Sequence, residues 1–348
     1  MKFRKSILAL SIGLCSTSLM AGSIKVSKDI NVTGDFAAGT FYMVNDGGAG
    51  NEAIEVNDFG LAVDTGDTKT GEIGFIGVLG SRTGHVVSDA TPAASVGLGG
   101  ESFALDFGYI TYKPTDMITL DAGVLLTTIG AEGSASVFQA NITRGMMWNS
   151  EPAAYAGVRA SFDVGGTTVS AEVNRDPSQG GGKTNWQVNA GGSAGPVDYG
   201  VTYYDGKDSR NIIDALLSAK VAKMDLTAYM DYYMIDDAAA GQDDSAMGFG
   251  LLVSPNLGKF DVPVRIEYVK DGTAGVYTNN DGAGPGGSST SVDSATSITL
   301  TPTYHVSDNS FVRAEVSYVM ADKKVFTDTD GKATDSQIIG AFQIGYTF

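Results

Sequence analysis

The chain has 348 residues, 43% hydrophobic and 18% charged, and its 40 acidic against 23 basic residues give a formal net charge of −17. That acidic excess opposes binding to nucleic acid or an anionic surface through bulk charge, and the apolar content is too high for a disordered chain. The one cysteine, Cys15, lies close to the N-terminus, so neither a disulfide framework nor a thiolate site is expected.

The N-terminus, MKFRKSILALSIGLCSTSLMAGS, reads as a secretory leader over residues 1–21. Lys2, Arg4 and Lys5 form its basic start and Ile7 to Leu14 its short apolar core, with cleavage expected after Ala21. In residues 22–348 no stretch of about 20 apolar residues exists, so no spanning helix is expected.

Beyond the leader the signal has a period of two, the mark of strands with two different faces. Sixteen windows bounded by turn residues open near Asn31, Ile54, Thr70, Ser102, Met117, Ala153, Thr167, Asn185, Val197, Asn211, Met224, Ser245, Asp261, Ser294, Ser310 and Asp335. In AGVRASFDV, Val158, Ala160 and Phe162 oppose Arg159 and Asp163; in MDLTAYMDYYM, Met230 and Tyr232 oppose Asp225 and Asp231. VPVRIEYV sets Ile266 and Tyr268 against Arg265 and Glu267, and FVRAEVSYVM sets Val316 and Tyr318 against Arg313 and Glu315. The final window places Ile338, Phe342, Ile344, Tyr346 and Phe348 on one face.

The connections discriminate further. Short links such as TGDTK, KPTD, VGGT, SAGP and AKM alternate with longer ones at 45–53, 81–101, 130–152, 176–184, 206–210, 236–244, 271–293 and 323–334. A soluble sandwich has no reason to keep every other loop short, whereas an up-and-down barrel in an outer membrane does. The expected fold is therefore all-β: a closed antiparallel barrel of about 16 strands (range 14–18), apolar toward lipid and polar inside, over residues 22–348. An even strand count places both termini on the same side.

Enzyme signals are poor. GGSAG, centred on Ser193, has the form of a hydrolase nucleophile turn, but that motif needs a strand, a sharp turn and a helix. His85 and His305 stand apart, without a partner at triad or zinc spacing. DTDG at 328–331 and NNDGAG at 279–284 do not complete a calcium-loop pattern. No cofactor, metal or catalytic residue is expected.

The terminal FQIGYTF resembles the C-terminal signature by which the barrel-assembly machinery recognises outer-membrane clients, and Phe342, Ile344, Tyr346 and Phe348 match it. The passage ITRGMMWNSEPAAYAGVRASF is similar to the β-barrel porin-2, OmpL-like family through Pro152, Gly157, Val158 and Arg159, with Tyr155 approximately at the family's aromatic position. The whole chain thus resembles a Gram-negative outer-membrane porin. The resemblance implies a passive channel for small hydrophilic solutes, a homotrimer, contact with lipid and lipopolysaccharide, and an inward-folded constriction loop after the fifth strand. That loop is 130–152, with Glu132, Arg144, Trp148 and Glu151. Arg159, Asp163, Arg265, Glu267, Arg313, Glu315, Asp225 and Asp231 are candidate pore-lining residues; the bland alternative is a set of structural ion pairs. Phe36, Phe41, Trp186, Tyr199, Tyr203, Tyr232, Tyr268 and Tyr304 are candidates for the aromatic girdles.

Acidic outer loops hold Asp236, Asp237, Asp243, Asp244, Asp271, Asp281, Asp293, Asp328 and Asp330 against Lys323, Lys324 and Lys332. They lead to an expected weak cation preference, opposed deeper in the channel by the arginines. The rival functions are a plugged structural or adhesive barrel and, further off, a barrel enzyme.

Overall fold

The computed structural model describes residues 24–27, 30–44, 52–84, 93–96, 104–175, 184–207, 210–277, 292–328 and 330–348. The leader at 1–21, His85, Asp281 and the NNDGAG stretch lie outside these residues, as do parts of the loops around them.

Among the described residues, sixteen long strands follow in order: β1 (Ile30–Val44), β2 (Glu52–Asp64), β3 (Ile73–Gly84), β4 (Ala104–Thr115), β5 (Ile118–Leu126), β6 (Ala154–Val164), β7 (Thr167–Arg175) and β8 (Asn185–Ala194), then β9 (Val197–Gly206), β10 (Arg210–Val221), β11 (Met224–Ile235), β12 (Ser245–Pro255), β13 (Val264–Lys270), β14 (Ser294–Leu300), β15 (Ser310–Ala321) and β16 (Ser336–Thr347). Each begins within three residues of its expected position. Every strand pairs antiparallel with its sequence neighbour. β16 then returns to β1, with Phe36 opposite Tyr346 and Val44 opposite Ile338. The sheet is closed, which leaves no edge of unpaired amides to face lipid.

The turns explain the tight end of the barrel. β6 and β7 are joined by Gly165 and Gly166 alone, at φ +60° and +90°. A two-residue turn that matches strand twist needs positive φ at both positions, which glycine supplies without steric cost. The connections from β12 to β13 and from β14 to β15 are longer because each contains a proline that cannot extend a ladder. Short strands Phe260–Asp261 and Thr303–Ser307 in those connections pair with each other.

Strand parity separates the two faces. Outward-pointing Ile110, Val158, Val188, Leu217, Leu251, Ile266, Ile298 and Ile344 are all exposed, forming an apolar band around the wall. Of the girdle candidates, Phe36, Trp186, Tyr268 and Tyr304 are exposed on this surface. Phe41 is not: it is buried inside the barrel. Phe36 and Phe41 differ by an odd number of positions on one strand, so they cannot share a face.

The seam relies on close backbone approach. Gly34 and Phe348 exchange two backbone hydrogen bonds of 2.9 Å. A side chain on Gly39 would collide with the Phe342 carbonyl oxygen across the seam, whereas nothing lies within 4 Å of the same position on Gly77. Forcing bulk into a packed site costs about 1–3 kcal/mol or more. Gly39→Val should therefore lower the temperature at which the barrel loses its compact, detergent-resistant mobility on a gel, and Gly77→Val should leave it unchanged.

Candidate functional site

The segment between β5 and β6 does not project from the barrel. It crosses the inside as a chord and returns, with short 3-10 turns at Ser136–Phe138 and Trp148–Ser150. Little of its backbone is regular, so its N–H and C=O groups need partners from elsewhere, and charged side chains on the wall supply many of them. Asp58 of β2 accepts from the Val137 N–H at 2.9 Å. Glu315 of β15 accepts from the N–H groups of Ile142 and Thr143, at 2.5 and 2.9 Å. Glu267 of β13 accepts from Met146 and Met147, at 2.8 and 3.3 Å. Arg265 donates to the Thr143 carbonyl at 2.6 Å, and Arg313 to the carbonyls of Gln139 and Ser136 at 2.8 Å each.

This changes the reading of four candidate pore-lining residues. Arg265 and Glu267 are 0% exposed, and Arg313 and Glu315 no more than 5%. They point inward as the alternation requires, yet they touch the loop instead of water. The sequence shows which face a charge takes but not that a loop 120 to 177 positions away will cover it. Asp231 is likewise inward and buried. Asp163 and Asp225 lie near the short turns, where Asp163 accepts from the Thr168 hydroxyl and Asp225 pairs with Lys220 at 3.2 Å. Arg159 alone of the three arginines keeps some exposure, 14%, while bonded to Glu172 at 2.6 Å.

The four loop candidates divide similarly. Glu132 pairs with Arg265 at 2.6 Å and accepts from the Gly145 N–H at 2.7 Å. Burial pushes its carboxyl above the usual range, against the pull of Arg265. Arg144 is buried with its guanidinium 5.2 Å from the Trp148 ring centre, and burial lowers its pKa against the charges of Asp58 and Glu132. Trp148 and Glu151 are half-buried.

The loop does not cover the whole wall. Inward Tyr109 and Thr111 of β4, Asp121 of β5 and Arg159 of β6 stay partly exposed, as do loop residues Gly133, Ser134, Ala135 and Phe138. Asp121 and Arg159 stand directly opposite in the β5–β6 ladder. Nearby, Arg82 of β3 bonds Asp35 of β1 and lies 3.6 Å from Asp58 and 3.5 Å from Asp106. Sequence reasoning missed this second charged group because bulges and glycines blur the alternation in β1 to β4. It missed Asp121 as well, whose inward parity in ITLDAGVLL was an available signal.

The end of the barrel away from the tight turns holds an apolar core. Ile129, Ile142, Met146 and Met147 of the loop pack there with inward Phe41, Met43, Tyr204, Ile212, Tyr233, Val269, Val319 and Ile339. Val276, Val292, Val325 and Phe326 from two other loops join them. Asp271, expected among the acidic loop charges, is buried and accepts from the Val276 N–H at 2.6 Å. Phe342, Ile344 and Tyr346 point outward on β16, and Phe348 closes the seam. Ser193 sits in the β8–β9 hairpin opposite Asp198, not in a strand–turn–helix. His305 pairs with Asp261 between the two short strands.

A family model described as "Putative beta-barrel porin-2, OmpL-like" matches residues 51–348. No curated protein matches the chain. Among solved structures, OmpT (in-vitro folded), an outer membrane protein of Vibrio cholerae, is 11% identical with a TM-score of 0.62, over 94% of this chain and 100% of its own. The anion-selective porin from Comamonas acidovorans is 13% identical with a TM-score of 0.59, over 92% of this chain and 99% of its own. A second form of Vibrio cholerae OmpT, described as a trimer, is 12% identical with a TM-score of 0.61, over 92% of this chain and 99% of its own.

The loop anchors can be tested singly. Glu315→Ala leaves two backbone N–H groups buried without an acceptor, at about 1–3 kcal/mol each. Hydrogen exchange at Ile142 and Thr143 should speed by more than about tenfold, while the strand amides of β5 and β6 keep their protection.

Proposed function

Because the chain belongs to the β-barrel porin-2, OmpL-like family and folds as an outer-membrane porin barrel, we propose that it is a passive diffusion channel for small hydrophilic solutes and ions. Its passage runs between the inward loop and the wall of β4 to β6. The observation that carries this reading is the unequal exposure of the inward face: Asp121, Arg159, Tyr109 and Thr111 meet water, while Arg265, Glu267, Arg313 and Glu315 do not. Loop 130–152 then acts as the constriction, with Gly133, Ser134, Ala135 and Phe138 toward the opening. The loop's extensive contact with the opposite wall also supports a rival, a barrel closed by its own loop. Partial exposure of Asp121 and Arg159 favours the open reading.

A weak cation preference follows from charge placement. Asp236, Asp237, Asp243, Asp244, Asp293 and Asp330 are exposed on the long loops. Two of the three arginines that would oppose cations in the lumen are covered, which leaves Arg159 against Asp121. A homotrimer in lipid and lipopolysaccharide, inserted by the barrel-assembly machinery through Phe342, Ile344, Tyr346 and Phe348, completes the proposal.

Planar-bilayer recording of the purified barrel tests it. Open channels are expected, with larger conductance after residues 133–147 are replaced by a short glycine–serine link. Under a potassium chloride gradient the reversal potential should show a cation preference that fades as mean salt rises. The Debye length falls from about 10 Å at 0.1 M to about 3 Å at 1 M, so exposed mouth charges lose their reach. No conductance until the loop is shortened would support the closed barrel, and an anion preference at low salt would overturn the selectivity claim.

A further inference from the structure

We propose that the neck of the inward loop is a proton-operated latch. Glu151 of the loop, Asp214 of β10 and Asp231 of β11 hold the loop stem to the wall while they share protons, and release it as they ionise.

The geometry starts from register. Asp214 and Asp231 stand directly opposite in the β10–β11 ladder, both inward and no more than 2% exposed. Glu151 and Asp231 are electrostatic neighbours, as are Asp231 and Asp214. Carboxyls packed together out of water repel one another when both are charged, so a proton on one of them lowers that cost. Both ends of the loop meet here. The Gly130 N–H donates to Asp214 at 3.2 Å, and the Glu151 carboxyl lies where a side chain on Gly130 would stand.

A second set of atoms points into the same place. Neither oxygen of Asp231 receives an N–H or hydroxyl from elsewhere, and the buried hydroxyls of Tyr233 and Tyr277 have no partner. Both phenols are electrostatic neighbours of Asp231. The charges around the cluster are lopsided. Arg210 of β10 faces Asp231, but it also stacks on Tyr233 at 5.3 Å and donates to the Ser150 carbonyl at 3.2 Å. Glu132 of the loop acts on Glu151, and Glu267 of β13 on Asp231, both adding negative charge. Tyr229 of β11 also faces Glu151.

Burial, then Asp231 and Asp214, holds the Glu151 carboxyl well above its usual range. The sign follows. Below the ordinary glutamate pKa of about 4.3, the latched and released forms are both protonated and the latch is fully made. As pH rises past it, the released form loses its proton first, so latching is progressively disfavoured.

The latch itself does not depend on the channel reading; only its effect on conduction does. Hydrogen exchange of the wild-type barrel, corrected for the intrinsic pH dependence, reads it directly. Between pH 5 and pH 9, peptides covering Gly130 and Glu151 should lose roughly tenfold or more of their protection, one decade being about 1.4 kcal/mol. Glu151→Gln, which cannot ionise, should flatten that loss. In bilayers, wild-type current noise should grow with pH and that of Glu151→Gln should not. Constant wild-type protection across the range, or an unchanged loss in Glu151→Gln, overturns the latch. A barrel that conducts nothing yet shows the pH-dependent exchange keeps the latch and removes the channel.

Discussion

A backbone amide out of reach of water must find a partner, and in this barrel that requirement acts twice. In lipid it forces the sheet to close, which is why β16 returns to β1 and why Gly34 and Phe348 bond across the seam. Inside, it governs a loop that crosses the lumen with little regular structure of its own. The wall answers with carboxylates for the N–H groups and guanidiniums for the carbonyls. Glu315, Glu267 and Asp58 on one side of that exchange and Arg265 and Arg313 on the other make the inward loop a fixed partition.

Fixing the loop against β13 to β16 and β2 determines where water can go. The covered wall is buried, and the remaining inward face, centred on Asp121 and Arg159, is the one the proposed passage would use. Charged residues in a barrel wall thus serve two ends that look alike in sequence. Arg265 and Arg159 both alternate with apolar neighbours in similar windows, yet one binds a loop carbonyl and the other keeps contact with solvent.

Much of the fold was legible because a strand in a closed barrel has only two environments, and residue parity reports which it takes. MDLTAYMDYYM and FVRAEVSYVM show it clearly, and so does the final strand. Legibility failed where the inside is not water. Phe41 and Met43 face inward into an apolar core made with three loops, and nothing local in INVTGDFAAGTFYMV marks that Ile142 and Met147 belong to the same core. It failed again at the charged wall, since Glu315 meets Ile142 across 173 positions. Parity fixes the face of a side chain; its partner on that face is a matter of tertiary packing.

Thiol accessibility in the purified barrel tests the central claim that the loop covers one wall and leaves the other open. Cys15 is the chain's only cysteine, so single replacements report cleanly once it is changed to serine. Asp121→Cys lies on the proposed passage, and Thr299→Cys lies on the covered wall, where Thr299 is 0% exposed. A charged, membrane-impermeant thiol reagent should modify Asp121→Cys rapidly and reduce its current, and should leave Thr299→Cys unreacted. Equal reactivity at both positions, or faster reaction at Thr299→Cys, would contradict the account.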